Sequence, residues 1–132
     1  MRPDPRPVLL IVDDDAMVGR IIGHAAEDCG YRAVRTTSLQ GFGRAFETAP
    51  PQAVAVDLCV PGRDGIEIIR FLADRDFRGL VLIISGLDRR VVEAALRLGR
   101  ALGLSMAEPI AKPFRLAELA ERLGAEEQLI PT

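Results

Sequence analysis

Apolar and polar positions along this chain switch repeatedly between two spacings. Val8 to Asp13 begins with a continuous apolar run of strand length. Met17 to Cys29 then carries apolar residues at 18, 21, 22, 25 and 26, the spacing of a helix packed on one face. Gly30 supplies its stop. Tyr31 to Thr36 alternates, as a more exposed edge strand does, and Ser38 is placed to cap a helix over 39–47. Ala53 to Leu58 reads as a third strand, and the cluster from Pro61 to Gly65 as a turn. Ile66 to Arg75 has helical spacing, and Leu80 to Ser85 is a fourth strand. Asp88 is placed to cap a helix over 89–102. A weaker fifth strand follows over 105–111, and the last helix spans 115–124.

Strand and helix therefore alternate five times. The first, third and fourth strands are near-continuous apolar runs, as expected when both faces of a strand are covered. Such alternation predicts an α/β fold, a doubly wound parallel sheet with helices on both sides. In such sheets, ligands bind at the carboxyl ends of the strands. Residues 1–6 carry two prolines, with a third following at Pro7, and read as a disordered prefix, 7–124 as one domain, and 125–132 as a tail or linker stub.

Composition narrows the function classes. The 132 residues are 48% apolar and 27% charged, which is ordinary globular usage. A net charge of −2 leaves no basic footprint for nucleic acid. No apolar run approaches the length of a membrane span, and the start lacks the apolar core of a signal peptide. Cys29 and Cys59 have no metal-ligand spacing and are too few for a disulfide framework, so the expected setting is a reducing cytoplasm. His24, the single histidine, lies on a predicted helix and reads as a surface residue.

The chemistry collects at the strand ends. Strand 1 ends in Asp13, Asp14 and Asp15, strand 3 in Asp57, strand 4 in Ser85, and strand 5 in Lys112. Lys112 is the only lysine against sixteen arginines. A compact ammonium on a flexible stem does what a planar guanidinium cannot when one oxygen must be reached. Clustered carboxylates raise one another's pKa, and a hard divalent cation such as Mg²⁺ relieves the repulsion. A carboxylate beside that metal is a competent nucleophile toward phosphorus. Ammonium, hydroxyl and metal then each take an equatorial oxygen. Asp15 itself reads as a helix N-cap.

At these residues the chain resembles a known family, the receiver domain of two-component response regulators. The matching pieces are Ile11 to Asp15, Asp57 to Gly65, Ile83 to Gly86, and Ala111 to Phe114. The resemblance implies a flavodoxin-like (βα)5 fold with strand order 2-1-3-4-5. It implies Asp57 as phosphoacceptor, with Ser85 and Lys112 completing the catalytic set. Asp14 would hold Mg²⁺ directly, Asp13 through water, and Cys59 through its backbone carbonyl, with Asp57 as a further ligand. Lys112 would pair with Asp57 before transfer, and Lys112–Pro113 would be cis. The implied partners are a sensor histidine kinase or phosphotransfer protein, and a second copy through helix 4, strand 5 and helix 5. The domain would catalyse only its own phosphorylation and dephosphorylation.

Two features depart from the family pattern. Pro109 occupies the position, three before the lysine, where receivers usually carry an aromatic residue that swings inward. Ser85 and Lys112 are also further apart than in most receivers, and the stretch from Ala94 to Lys112 is similar to receivers that precede EAL-type cyclic-di-GMP phosphodiesterase domains. Two other readings compete. In a haloacid-dehalogenase-like phosphohydrolase, Asp13 would attack and Asp15 would act as acid/base; Met17 and the lack of a later acidic pair speak against it. A binding module that no longer uses phosphorylation would keep the fold; Pro109 speaks for it, and the intact Asp14, Asp57, Ser85 and Lys112 against it.

Overall fold

The computed structural model describes residues 4–58 and 64–129. In chain order its elements are β1 (Val8–Val12), α1 (Ala16–Asp28), β2 (Arg32–Thr36), α2 (Leu39–Thr48), β3 (Ala53–Val56), α3 (Asp64–Asp74), β4 (Leu80–Ser85), α4 (Arg89–Ala101), β5 (Ser105–Met106), β6 (Ile110–Ala111) and α5 (Leu116–Leu129). All strand pairs are parallel. The order is β2-β1-β3-β4-β5, with β6 also on β4. This is the expected flavodoxin-like doubly wound sheet, with strand order 2-1-3-4-5 when β5 and β6 are taken as one edge.

The continuous apolar runs are explained by two cores, one on each face of the sheet. Leu10 and Val12 of β1 point with Val54, Val56, Val81 and Ile83 toward α2, α3 and α4. Leu9 and Ile11 point the other way, with Ala55, Leu82 and Ile84, toward α1 and α5. Alternate residues of a strand face opposite sides, so a strand buried on both must be apolar throughout. β2 lies at an edge and is half-exposed, and its sequence accordingly mixes Arg with Ala and Val.

Local chemistry sets the element ends. Asp15, Ser38 and Asp88 cap α1, α2 and α4 by accepting backbone N–H groups of the first turn. Gly30 follows α1 at φ 93°, a left-handed conformation that favours glycine. At Gly65, a methyl group would lie 2.7 Å from Leu58 Cα, so only glycine lets the start of α3 approach the end of β3 so closely. α5 runs past Gly124 to Leu129.

The fifth strand departs from expectation. Instead of one strand over 105–111, two-residue pieces pair with opposite halves of β4: Leu80 and Val81 face Ser105 and Met106, while Ile84 and Ser85 face Ile110 and Ala111. Pro109, just before β6, has no N–H to give the ladder. Glu108 ties the interruption to both flanking helices. Its carboxylate lies 3.7 Å from Arg100 of α4, and its carbonyl accepts Arg122 Nε of α5 at 3.1 Å. Among the described residues no helix is long and apolar enough to cross a membrane.

Candidate functional site

Backbone register brings the chemistry together. Val12 is level with Val56, and Val56 with Ile83. Beyond the strands the ladder continues for one residue. Asp13 N–H donates to Thr36 O at 3.1 Å, Asp57 N–H to Val12 O at 3.0 Å, and Lys112 N–H to Ser85 O at 2.9 Å. Asp13, Asp57, Ser85 and Lys112 thus stand in a row along the carboxyl edge of the sheet. The three polar residues that the described core buries are Asp13, Asp57 and Ser85.

Lys112 bridges the carboxylates. Its Nζ lies 2.8 Å from Asp13 Oδ2 and 3.1 Å from Asp57 Oδ2. Asp13 is held on its other side by the Asp15 N–H, which donates to Oδ1 at 2.9 Å. Burial pushes the Asp13 carboxyl above its ordinary range; the Lys112 and Asp15 hydrogen bonds oppose this, the Asp57 charge adds to it, and the net direction is up. For Lys112, burial acts downward, but the hydrogen bonds to Asp13 and Asp57 outweigh it, so the ammonium is held charged above its usual range. The Lys112–Pro113 peptide is cis, as the resemblance implied.

Asp14 is exposed at the mouth of this pocket. One carboxylate oxygen from each of Asp13, Asp14 and Asp57 lies within 4.8 Å of the others. With all three ionised, the single ammonium leaves two negative charges over. Hard carboxylate oxygens at this spacing, one of them open to water, suit Mg²⁺ better than a softer metal. Cys59, whose carbonyl was expected to complete the ligands, lies outside the described residues. Ser85 Oγ accepts the Leu87 N–H at 3.1 Å.

Other sequence expectations also have a place. Asp15 caps α1, accepting the N–H groups of Met17 at 2.9 Å and Val18 at 3.3 Å. This engages the group that a dehalogenase-like acid/base would need. Asp13, the nucleophile of that reading, has both oxygens bonded within the protein. Pro109 lines a groove between α4 and β6. His24 is exposed on α1, away from the strand ends. Sequence reasoning missed the Asp13–Lys112 ion pair and the Ser85–Leu87 bond. The adjacency of strands 1 and 3 was the available signal for the first; the second had none.

Comparison with known proteins gives matches in both sequence and fold. The profile of the response regulator receiver domain family matches residues 9–124. The transcriptional regulatory protein QseB of Escherichia coli O157:H7 is 33% identical over 120 residues, covering 89% of this chain and 51% of that protein. The phosphate regulon transcriptional regulatory protein PhoB of Pseudomonas aeruginosa is 32% identical over 117 residues, covering 89% of this chain and 50% of that protein. The chain thus spans about half the length of these curated relatives. A response regulator from Colwellia psychrerythraea superimposes with a TM-score of 0.78 at 27% identity, covering 92% of this chain and 97% of that one. Vibrio cholerae chemotaxis protein CheY4 shares the fold, with a TM-score of 0.75 at 16% identity over 95% of this chain and 99% of that one.

Proposed function

Because the chain belongs to the response regulator receiver domain family, with the phospho-accepting signalling role of that family, we propose that Asp57 is its phosphoacceptor and that Ser85 and Lys112 complete the catalytic set. The observation that carries this reading is the buried Asp57 carboxylate, held by Lys112 Nζ at 3.1 Å within one cluster with Asp13 and Asp14.

Asp13 and Asp14 would hold Mg²⁺, with Asp57 and the Cys59 carbonyl as further ligands. When bound, the ion supplies positive charge where phosphoryl oxygens gather. The remaining chemistry belongs to the side chains. An Asp57 oxygen attacks phosphorus in line as the bond from phosphorus to the donor's imidazole nitrogen breaks. The lysine ammonium, already on Asp57, follows the charge onto a phosphoryl oxygen, and the Ser85 hydroxyl donates to another. Burial of Asp57 excludes bulk water from the attacking oxygen.

The proposed phosphodonor is a sensor histidine kinase or phosphotransfer protein, which sets the domain in the cytoplasm. The domain turns over no substrate beyond its own phosphorylation and dephosphorylation. A homodimer would form through α4, β5, β6 and α5, where Glu108 joins both helices to the sheet edge. Sedimentation with and without beryllofluoride tests that dimer. The phosphoacceptor is tested by labelling with a small donor such as acetyl phosphate in Mg²⁺. Asp57→Asn is expected to abolish the label, and undiminished labelling would overturn the assignment.

A further inference from the structure

A cleft of about 230 Å³ lies between α1 and the edge strand β2, lined by Arg20, Gly23, His24, Glu27, Ala33 and Arg35. It shares no lining residue with the cluster of Asp13, Asp14 and Asp57. Positions 20, 23, 24 and 27 recur at the three- and four-residue spacing that puts side chains on one face of a helix. The stem of Arg35 crosses that face over two glycines. A methyl group at Gly23 would lie 3.6 Å from Arg35 Cδ, and one at Gly19 would lie 4.0 Å from it. The stem therefore rests against the helix, and its guanidinium has less freedom to lose when a ligand binds.

Positive charge gathers here without a counterpart. Among the described residues no ion pair or side-chain hydrogen bond engages Arg20, His24 or Arg35. Glu27 is the one carboxylate of the lining, and it also acts on the charge of Arg6. Two guanidiniums on one cleft repel each other, and an anion that takes both removes the repulsion. Each guanidinium presents a planar fork of N–H groups, the shape that pairs two oxygens of a phosphate. The imidazole of His24 adds a ring N–H. Sites that enclose a whole drug-sized molecule usually measure about 300–1,000 Å³. This smaller cleft suits a phosphate or diphosphate group.

We propose that the α1–β2 cleft is a second, anion-binding site, which takes the phosphate or diphosphate end of a small soluble molecule on Arg20, His24 and Arg35. Its residues come from elements that hold none of the strand-end carboxylates, so it does not depend on the role of Asp57.

Pyrophosphate is the probe, added to the full chain without Mg²⁺. The ammonium at the strand ends is then already engaged by Asp13 and Asp57. NMR is expected to show saturable shifts of the Arg20 and Arg35 Nε–H signals and of the His24 ring. Arg20→Gln and Arg35→Gln keep most of each stem and are each expected to weaken binding about tenfold or more. Arg97→Gln removes an equal charge from an exposed position on α4 and is expected to bind like the parent. Asp57→Asn is also expected to bind like the parent, so failure of the phosphoacceptor reading leaves this site standing. Shifts that never saturate, equal weakening by Arg97→Gln, or equal affinity for the dicarboxylate succinate would each overturn the proposal.

Discussion

Lys112 sits nearer to Asp13 than to Asp57: its Nζ is 2.8 Å from the Asp13 carboxylate and 3.1 Å from that of Asp57. The ammonium thus occupies an oxygen that Asp13 would offer to Mg²⁺ if it holds the ion as proposed. On that reading, lysine and dication would compete for Asp13. The site without metal is a place where one positive charge serves two buried carboxylates.

Removing that charge has two expected effects. Lys112→Met leaves Asp13 and Asp57 without their shared donor and is expected to cost about 1–3 kcal/mol of stability. The same variant frees Asp13 Oδ2, so Mg²⁺ should raise its melting temperature more than it raises that of the parent. Thermal melts with and without Mg²⁺ measure both; an equal metal increment in the two proteins would show that the ion does not compete with Lys112.

Lys112→Arg tests whether a point charge is needed. A guanidinium is wide and planar, and the pocket brings two carboxylates to a single nitrogen. Labelling by acetyl phosphate is expected to fall by roughly tenfold or more, about 1.4 kcal/mol in the barrier. Parental labelling rates would make the single lysine an accident of composition.

Asp13 sets a pH dependence. Its pKa is raised in the fold, so from the ordinary carboxylate value of about 3.9 up to the raised one, the folded chain holds a proton that the unfolded chain has released. The resulting stability is fully present below the ordinary value and is lost as pH rises through the raised value. A protonated Asp13 is also a poor ligand. In melts across the mildly acidic range, the Mg²⁺ increment should therefore grow with pH while this contribution to metal-free stability declines. An increment independent of pH would remove Asp13 from the ligand set.

Asp15 and Asp14 are neighbours with different duties. Asp15→Ala loses the cap of α1 and is expected to cost about 1 kcal/mol while leaving phosphorylation near the parental level. Asp14→Ala should do the reverse, with little change in stability and a large loss of Mg²⁺-dependent labelling. Denaturant melts paired with the labelling assay separate the two.

Gly65→Ala puts a methyl group 2.7 Å from Leu58 Cα. Backbone must shift to admit it, with an expected cost of about 1–3 kcal/mol. Leu58 directly follows Asp57, so labelling should fall as well, which a purely distant packing defect would not cause.

Features set by local chemistry were readable in the sequence. The caps Asp15, Ser38 and Asp88 depend on one side chain and the next turn, and β4 is bounded where its apolar run begins and ends. Which segments meet at the site also followed from alternation, because parallel strands share a carboxyl edge. The finer pairing did not follow. Lys112 reaches both Asp13 and Asp57, and its shorter contact with Asp13 depends on sheet twist and strand stagger, which periodicity does not encode. The division of the edge strand was half visible. Pro109 has no N–H and falls within the stretch read as one continuous strand, whereas β5 and β6 pair separately.

The bond between Lys112 and Asp13 joins residues 99 positions apart. During synthesis the aspartates emerge from the ribosome long before the lysine does. A nascent chain that has folded its first strands presents clustered carboxylates with no ammonium among them. Such a chain lacks the neutralising charge that Lys112 brings to Asp13 and Asp57. On the phosphoacceptor reading, the site is therefore completed only when the last strand has been made.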